Sequence, residues 1–278
     1  MTNHPHPDPD ELRALAETAA RTAATALLAA FRSDMDVSFK RDVHDVVTAH
    51  DRAAEAEIAA TLRRGAPGSE ILGEETGSSG DAPLRWIIDP IDGTANFARG
   101  LAYWCISIAA ELDGEVVAGV VYDPVADNMF AAGASSAERN GMPMTSASAS
   151  LERSTLLTSF PNQHDVDLLG EGAFTLLAEI TRTYQHHHST GSGALNLAHV
   201  AAGWSDATMG FDTKPWDVAA GAHILRRAGG AYTGFRAGVA VDRAQESVDY
   251  VAQGAGGEHG ALIERVRELS AERMAIGR

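Results

Sequence analysis

The sequence predicts an α+β half over residues 1–142 followed by an α/β half over residues 143–278. Three observations carry this. Two segments with helical periodicity lead the chain. A run of alternating, β-rich sequence follows as far as Arg139. From Thr155 onward, short apolar strands alternate with helical segments. The 278 residues suit one large domain or two modest ones, at the usual ~100–200 residues per domain.

The elements follow in order. Residues 1–9 read as a polar, proline-rich lead. Pro9 or Asp10 opens a helix over Asp10–Arg32, with Leu12, Leu15, Ala19, Ala23, Ala26 and Leu27 on one stripe. Val37–Lys40 is a short extended piece. Thr48 caps a second helix that runs to about Arg64 and is ended by Gly65 and Pro67. Glu70–Gly73 and Leu84–Ile88 read as strands. Trp104–Leu112 and Glu115–Tyr122 flank Asp113-Gly114, a hairpin signal. Asn128–Gly133 and Ala137–Arg139 continue the meander, with Asn140-Gly141 as a further turn. The small polar run 145–150 suits a linker. Beyond it come a strand at Thr155–Ser159, a helix over Leu168–Thr181, a strand at Thr183–His187 and a helix over Ala194–Ala202. A strand at Asp206–Met209, a helix over Trp216–Ala228, a strand at Tyr250–Ala252 and a helix over about Glu258–Ala275 complete the chain. A half-buried strand through His186, His187 and His188 sends alternate histidines to opposite faces, with His188 free to face a pocket or a second copy.

Composition narrows the function. Lys plus Arg is 22 and Asp plus Glu is 38, a net charge of −16. That argues against nucleic acid and against an anionic membrane surface, since both attract basic faces. The single Cys105 excludes an intrachain disulfide and any zinc or iron–sulfur site built from several thiolates. It sits in the apolar run Tyr103–Ala110 and reads as a core residue. No stretch approaches the ~20 apolar residues that span a bilayer, and the first residues lack a signal pattern. A cytoplasmic protein is expected.

Four clusters look like chemistry. Leu84–Ile88 runs straight into Asp89-Pro90-Ile91-Asp92-Gly93-Thr94. Alone, such a run also reads as an ordinary strand-to-helix turn. Read functionally, Pro90 fixes the course of the chain so that Asp89 and Asp92 converge on one cation, with the Ile91 carbonyl as a further oxygen. Hard Mg²⁺ prefers such oxygen donors. The amides of Gly93 and Thr94 then open Ala95–Arg99 as a phosphate seat. Gly73-Glu74-Glu75 is the second cluster: either solvated charge, or a site at which Glu74 reaches the same cation. Trp216-Asp217 follows Pro215 at a helix start, where an aspartate serves as a cap or as a third carboxylate from the second half. In Asp45-Val46-Val47-Thr48-Ala49-His50-Asp51, Asp51 either lies idle in a first turn or accepts a hydrogen bond from Thr94.

Together these clusters, with Lys40 and the full runs Trp86–Phe97 and Trp216–Gly221, resemble the inositol monophosphatase family of lithium-sensitive, Mg²⁺-dependent phosphatases. The resemblance spans about Glu11 to Ala271. It implies an αβαβα layered sandwich, with a mostly antiparallel sheet in the first half. It also implies a cofactor of two or three Mg²⁺ ions. Glu74, Asp89 and the Ile91 carbonyl would hold the first, and Asp89, Asp92 and Asp217 the second. Glu74 would reach a third through water. The resemblance makes Glu74, Thr94 and Asp51 catalytic, with Thr94 and Asp51 positioning the water that attacks phosphorus. Two cations about 4 Å apart suit such an in-line attack. Gly93 and Thr94 would hold the phosphate, and Lys40 would lie on a mobile loop.

The implied partner is a small phosphate monoester of a polyol or sugar, with no nucleic acid and no membrane, and the implied assembly is a homodimer. On the substrate side the resemblance places Gly191, Ser192, Gly193, Asp92 and Asp217. The family's sugar-contacting glutamate is missing from Ala207–Pro215, where Asp212 is the candidate replacement. Other family substrates remain open, namely histidinol phosphate, fructose 1,6-bisphosphate and 3′-phosphoadenosine 5′-phosphate. So does a non-catalytic, metal-binding regulatory role. The three-residue step from Asp89 to Asp92 departs from the haloacid-dehalogenase spacing, and no Walker-type loop is present.

Overall fold

The structure is a computed structural model that describes residues 7–33, 37–39 and 46–276. Lys40 and Asp45 lie outside the described residues. The first half contains α1 (Pro9–Ala30), β1 (Val37–Phe39), β2 (Val46–Thr48), α2 (Ala49–Gly65), β3 (Glu70–Gly73), β4 (Gly77–Ser79), β5 (Leu84–Asp92) and α3 (Thr94–Arg99). It continues with β6 (Cys105–Leu112), β7 (Glu115–Asp123), β8 (Asn128–Ala132), β9 (Ala137–Arg139) and β10 (Met142–Pro143). The second half contains β11 (Thr155–Thr158), α4 (Gln163–Leu169), α5 (Glu171–Thr183), β12 (His186–Ser189), α6 (Gly193–Ala201), β13 (Ala207–Gly210) and α7 (Pro215–Arg227). It ends with β14 (Ala231–Arg236), β15 (Val239–Val241), β16 (Asp249–Gln253) and α8 (Gly260–Ile276).

Two large sheets alternate with three helical layers. The first has the order β10-β9-β8-β7-β6-β5-β3-β4 and is antiparallel except where β3 runs parallel to β5. The second has the order β12-β11-β13-β16-β14-β15, with parallel pairing only at β11–β12 and β11–β13. Strand alternation deals side chains to opposite faces. Trp86 and Ile88 of β5 therefore join Leu12, Leu27, Ile58 and Leu62 under α1 and α2, while Ile87 joins Leu197, Val218 and Ile224 of α6 and α7. A third core, around Leu156, Leu176, Val266 and Leu269, seats α5 and α8 on the outer face of the second sheet. This αβαβα sandwich is the expected one. Cys105 is fully buried in the middle core.

Close approach decides some residues. Gly119 on β7 faces α7, and a Cβ there would come within 2.7 Å of the Ala220 carbonyl oxygen and 3.0 Å of its Cα. Backbone atoms cannot rotate away, so Gly119→Ala is expected to cost roughly 1–3 kcal/mol, read as a lowered urea midpoint.

The predicted helix over Leu168–Thr181 is instead two, α4 and α5, broken at Gly170 (φ 53°, ψ −122°), a conformation open to glycine. The strand expected at Thr183–His187 begins only at His186, because α5 continues through Thr183. The β14–β15 hairpin was not anticipated. The three histidines lie on β12, an edge strand with His186 and His188 exposed and stacked at 6.4 Å and His187 half-buried. Among the described residues, no helix is long and apolar enough to cross a membrane.

Candidate metal and phosphate site

β5 carries the centre of the site, and its geometry turns on a bulge. Asp89 pairs with Ser107 and Asp92 with Cys105, so three steps on β5 face two on β6. Residues three apart on a regular strand point to opposite faces. The extra residue, at a proline with no N–H to place in the ladder, re-aims Asp92 toward the side of Asp89. The third carboxylate comes from the other half. Pro215 starts α7, and Asp217 accepts the backbone amide of Lys214 at 2.7 Å. Oxygens of Asp89, Asp92 and Asp217 all lie within 4.8 Å of one another. The two halves thus meet at this acidic point.

Glu74 arrives from the neighbouring parallel strand. Its amide donates to the Ile88 carbonyl at 3.2 Å, and its carboxyl shares a hydrogen bond with Asp89. A buried glutamate on α2 positions this corner: Glu55 accepts from the amides of Glu75 (2.8 Å) and Thr76 (3.0 Å) and from the Thr76 hydroxyl (2.6 Å). Gly73 leaves the room, since a Cβ would lie 2.4 Å from the Glu55 carboxyl.

Crowded, desolvated carboxylates resist ionisation. Burial, then Glu74, Asp92 and Asp217, hold the Asp89 carboxyl well above the usual range. Burial and Asp92 push Asp217 up to about 8 despite its place in a helix first turn. Asp92 is raised chiefly by burial and restrained by donors: the Ser192 hydroxyl at 2.5 Å, the Ala194 amide at 2.7 Å and other amides opening α6. The donor set suits a hard divalent cation. It is all oxygen, gathered from separate elements, and it carries a repulsion that a cation relieves.

Thr94 begins α3. Its hydroxyl lies 3.1 Å from Asp51 Oδ1 and 2.9 Å from the Ile91 carbonyl oxygen, so one proton serves two acceptors. Asp51 is itself buried on α2. Gly93 caps α3 at φ 96°, and a Cβ there would press on the Tyr103 and Gly191 carbonyl oxygens at 3.0 and 3.2 Å.

A cavity of about 210 Å³ opens beside Asp92 and Asp217. Gly191 and Gly193 line it, whereas Ser192 is 1% exposed and its hydroxyl is bonded to Asp92. The Asp212 carboxylate is bonded to Arg273, with His164 3.5 Å away. Asn96 joins the halves, donating to the carbonyls of Tyr103 (2.7 Å) and Thr190 (2.8 Å). Sequence reasoning missed Glu55 and quoted Asn96 only within a motif. The one signal for Glu55 was an acid among the alanines of a helix face that had to be buried.

The site thus belongs to an αβαβα sandwich whose acidic, metal-suited centre lies between β5 of the first sheet and the start of α7. The chain belongs to the inositol monophosphatase family, whose sequence profile matches residues 8–271. It is 35% identical over 235 residues to the Nus factor SuhB of Salmonella typhimurium, covering 81% of this chain and 85% of that one. An IMPase from Thermotoga maritima superposes with a TM-score of 0.79 at 31% identity, covering 92% of this chain and 96% of the other. An inositol monophosphatase from Anabaena gives 0.75 at 29%, covering 95% of each.

Proposed function

We propose that the chain is a cytoplasmic, Mg²⁺-dependent phosphomonoesterase acting on the phosphate of a small polyol or sugar, and that it works as a homodimer and is inhibited by Li⁺. One observation carries the reading: three carboxylates from two halves converge within 4.8 Å, and two of them, Asp92 and Asp217, line a cavity. Asp89, Asp92 and Asp217 would hold Mg²⁺, with Glu74 and the Ile91 carbonyl as further donors, for two or three ions in all. Bound there, Mg²⁺ supplies charge neutralisation and Lewis acidity to a phosphate ester that hydrolyses extremely slowly unaided.

The protein's own groups supply the rest. Asp51 orients the Thr94 hydroxyl, which holds the attacking water: Thr94 Oγ1 accepts the proton the water loses and gives its own to Asp51 Oδ1. The amides of Gly93 and Thr94 receive phosphate oxygens. Gly191 and Gly193 leave space for the alcohol. Ser192 serves by fixing Asp92 rather than by touching the alcohol, and Asp212 serves through Arg273.

The cavity lining narrows the substrate. Among the described residues that line it there is no Lys or Arg to pair with a second phosphate. This favours a monophosphate over a bisphosphate or nucleotide. A second reading, a non-catalytic regulatory protein, is favoured by the curated relatives, which carry the name Nus factor. Phosphate release decides between them. The panel is myo-inositol 1-phosphate, sugar monophosphates, histidinol phosphate, fructose 1,6-bisphosphate and 3′-phosphoadenosine 5′-phosphate, each with and without Mg²⁺. Mg²⁺-dependent turnover of a monophosphate is expected. No turnover of any compound, with Mg²⁺ still raising Tm, would establish the second reading.

A further inference from the structure

Beyond Asp92 and Asp217, the cavity rests on Met209 and Gly210 of β13 and Tyr250 of β16, and two segments outside the sheets complete its wall. One brings Phe160, Asn162 and Asp165 at the start of α4. The other brings Phe211 and Thr213 from the loop between β13 and α7. That loop turns at Asp212, whose φ is 55°. The rings of Phe160 and Phe211 pack with centroids 5.3 Å apart.

One side chain, from the last turn of α8, ties both segments together. The Arg273 guanidinium donates to Asp165 Oδ1 at 2.6 Å and to Asp212 Oδ2, and it lies 4.8 Å over the ring of Phe211. Its side chain is 4% exposed. Asp165 is 1% exposed and closes a reciprocal cap with Asn162: each backbone amide donates to the other's side chain, at 2.9 and 3.0 Å. One guanidinium thus touches both the cap that holds Asn162 and the ring of Phe211, two residues that line the same cavity. Only a planar, forked cation can serve two carboxylates and an aromatic face at once. Such a buried ion pair is a weak source of net stability. Leu262, Val266 and Leu269 already seat α8 in the outer core. The purpose of the arrangement is therefore geometric.

We propose that Arg273 is a positioning residue for leaving-group selection. It holds Asn162 and Phe211 in place as a neutral wall, with one aromatic face and one amide, against the alcohol of the substrate. Phe211 and Asn162 carry no charge and the Asp165 carboxylate behind them is bonded to Arg273, so the groups this wall presents suit a neutral, ring-sized alcohol. The proposal rests on the phosphatase reading above.

The test compares alcohol recognition with phosphate recognition in the full chain with Mg²⁺. The alcohol is reported by KM for the ring monophosphate that the wild type hydrolyses fastest. The phosphate is reported by competitive inhibition by inorganic phosphate. Arg273→Met is expected to raise that KM roughly tenfold, the scale at which pocket contacts discriminate substrates, with the inhibition constant of inorganic phosphate unchanged. Arg273→Lys keeps the charge without the fork and should fall between. Arg273→Met leaves Asp165 buried without a cation and is the variant most exposed to misfolding. Asp212→Asn retains the Arg273–Asp165 pair, and it should raise the same KM severalfold while Tm stays near that of the wild type.

A merely structural role would lower the folded fraction, and with it kcat, without moving either constant. Unchanged KM in Asp212→Asn and Arg273→Lys would overturn the proposal. A wild type that hydrolyses no ester of the panel would overturn the phosphatase reading and this proposal with it, whereas an active wild type with unmoved variants would overturn this proposal alone.

Discussion

Asp89→Asn is expected to lower Mg²⁺-dependent phosphate release about a thousandfold or more, a loss of about 4 kcal/mol of transition-state stabilisation, in a protein that still folds. The folding half of this expectation follows from the hydrogen bonds. Asp89 Oδ1 accepts the Ile91 amide at 3.0 Å, and the carboxyl shares a hydrogen bond with Glu74. An asparagine reproduces both, accepting with Oδ1 and donating to Glu74 with Nδ2. Burial and three neighbouring acids already hold the Asp89 carboxyl well above its usual range. Without metal, the substitution therefore relieves the repulsion that an ionised Asp89 meets from Glu74, Asp92 and Asp217.

The activity half follows from charge. Asp89 is the residue through which the Glu74 side and the Asp92–Asp217 side of the centre touch. An amide there leaves a cation facing fewer anions on both sides. Circular dichroism and Tm in the absence of Mg²⁺ should match or exceed the wild type, while turnover collapses. Wild-type kinetics in Asp89→Asn would end the assignment of this cluster as the metal centre. Loss of structure without Mg²⁺ would show that Asp89 holds the bulge by its charge.

The parts of this site that were legible in the sequence are those whose chemistry is local. Asp89 and Asp92 stand beside a proline and a glycine that can only mean a bend. Glu74 follows a short strand, and Asp217 follows a proline at a helix start. Turns were legible for the same reason. Asp113-Gly114 (φ 52° and 83°) and Asn140-Gly141 (φ 50° and 75°) put residues that tolerate left-handed backbone where the hairpins need them. The β14–β15 hairpin makes its turn with Ala237-Gly238 (φ 54° and 75°), and alanine carries no such signal.

What was illegible depends on pairs distant in sequence. Glu55 gains its meaning from the backbone of residues 75 and 76, and Asn96 gains its own from Thr190. Arg273 looks like one more charge on a charged helix until Asp165 and Asp212, each more than 60 residues away, are placed beside it. Asp212 shows the same limit: its position near Trp216-Asp217 suggests the alcohol, and only the fold shows that its carboxylate is also bonded to Arg273 on α8.

Mg²⁺ is expected to stabilise the protein, and to do so more strongly at pH 8 than at pH 5. The sign follows from the acids of the centre. Asp217 has a folded value of about 8 against an ordinary 3.8, and Asp89 and Asp92 are raised as well. A carboxyl raised on folding favours the folded state while it is protonated. That contribution is complete below about pH 4 and is lost as pH climbs through the folded value. The metal-free protein should therefore weaken from pH 4 to pH 8 as charges accumulate at one buried point.

A cation competes with those protons. It binds poorly when the acids are protonated and well once they ionise, and binding to the folded state alone raises stability by mass action. At about a hundredfold over its Kd the gain is about 2.7 kcal/mol, or roughly 5–10 °C in Tm for a chain of this size. Differential scanning fluorimetry at fixed ionic strength, with and without Mg²⁺ from pH 5 to 8.5, should show the two Tm curves diverging as pH rises. In Asp217→Asn the divergence should shrink, because one titrating donor is gone while the amide at Lys214 can still find an oxygen. Parallel curves at every pH would mean that the cation binds elsewhere, and that the convergence of Asp89, Asp92 and Asp217 serves the fold alone.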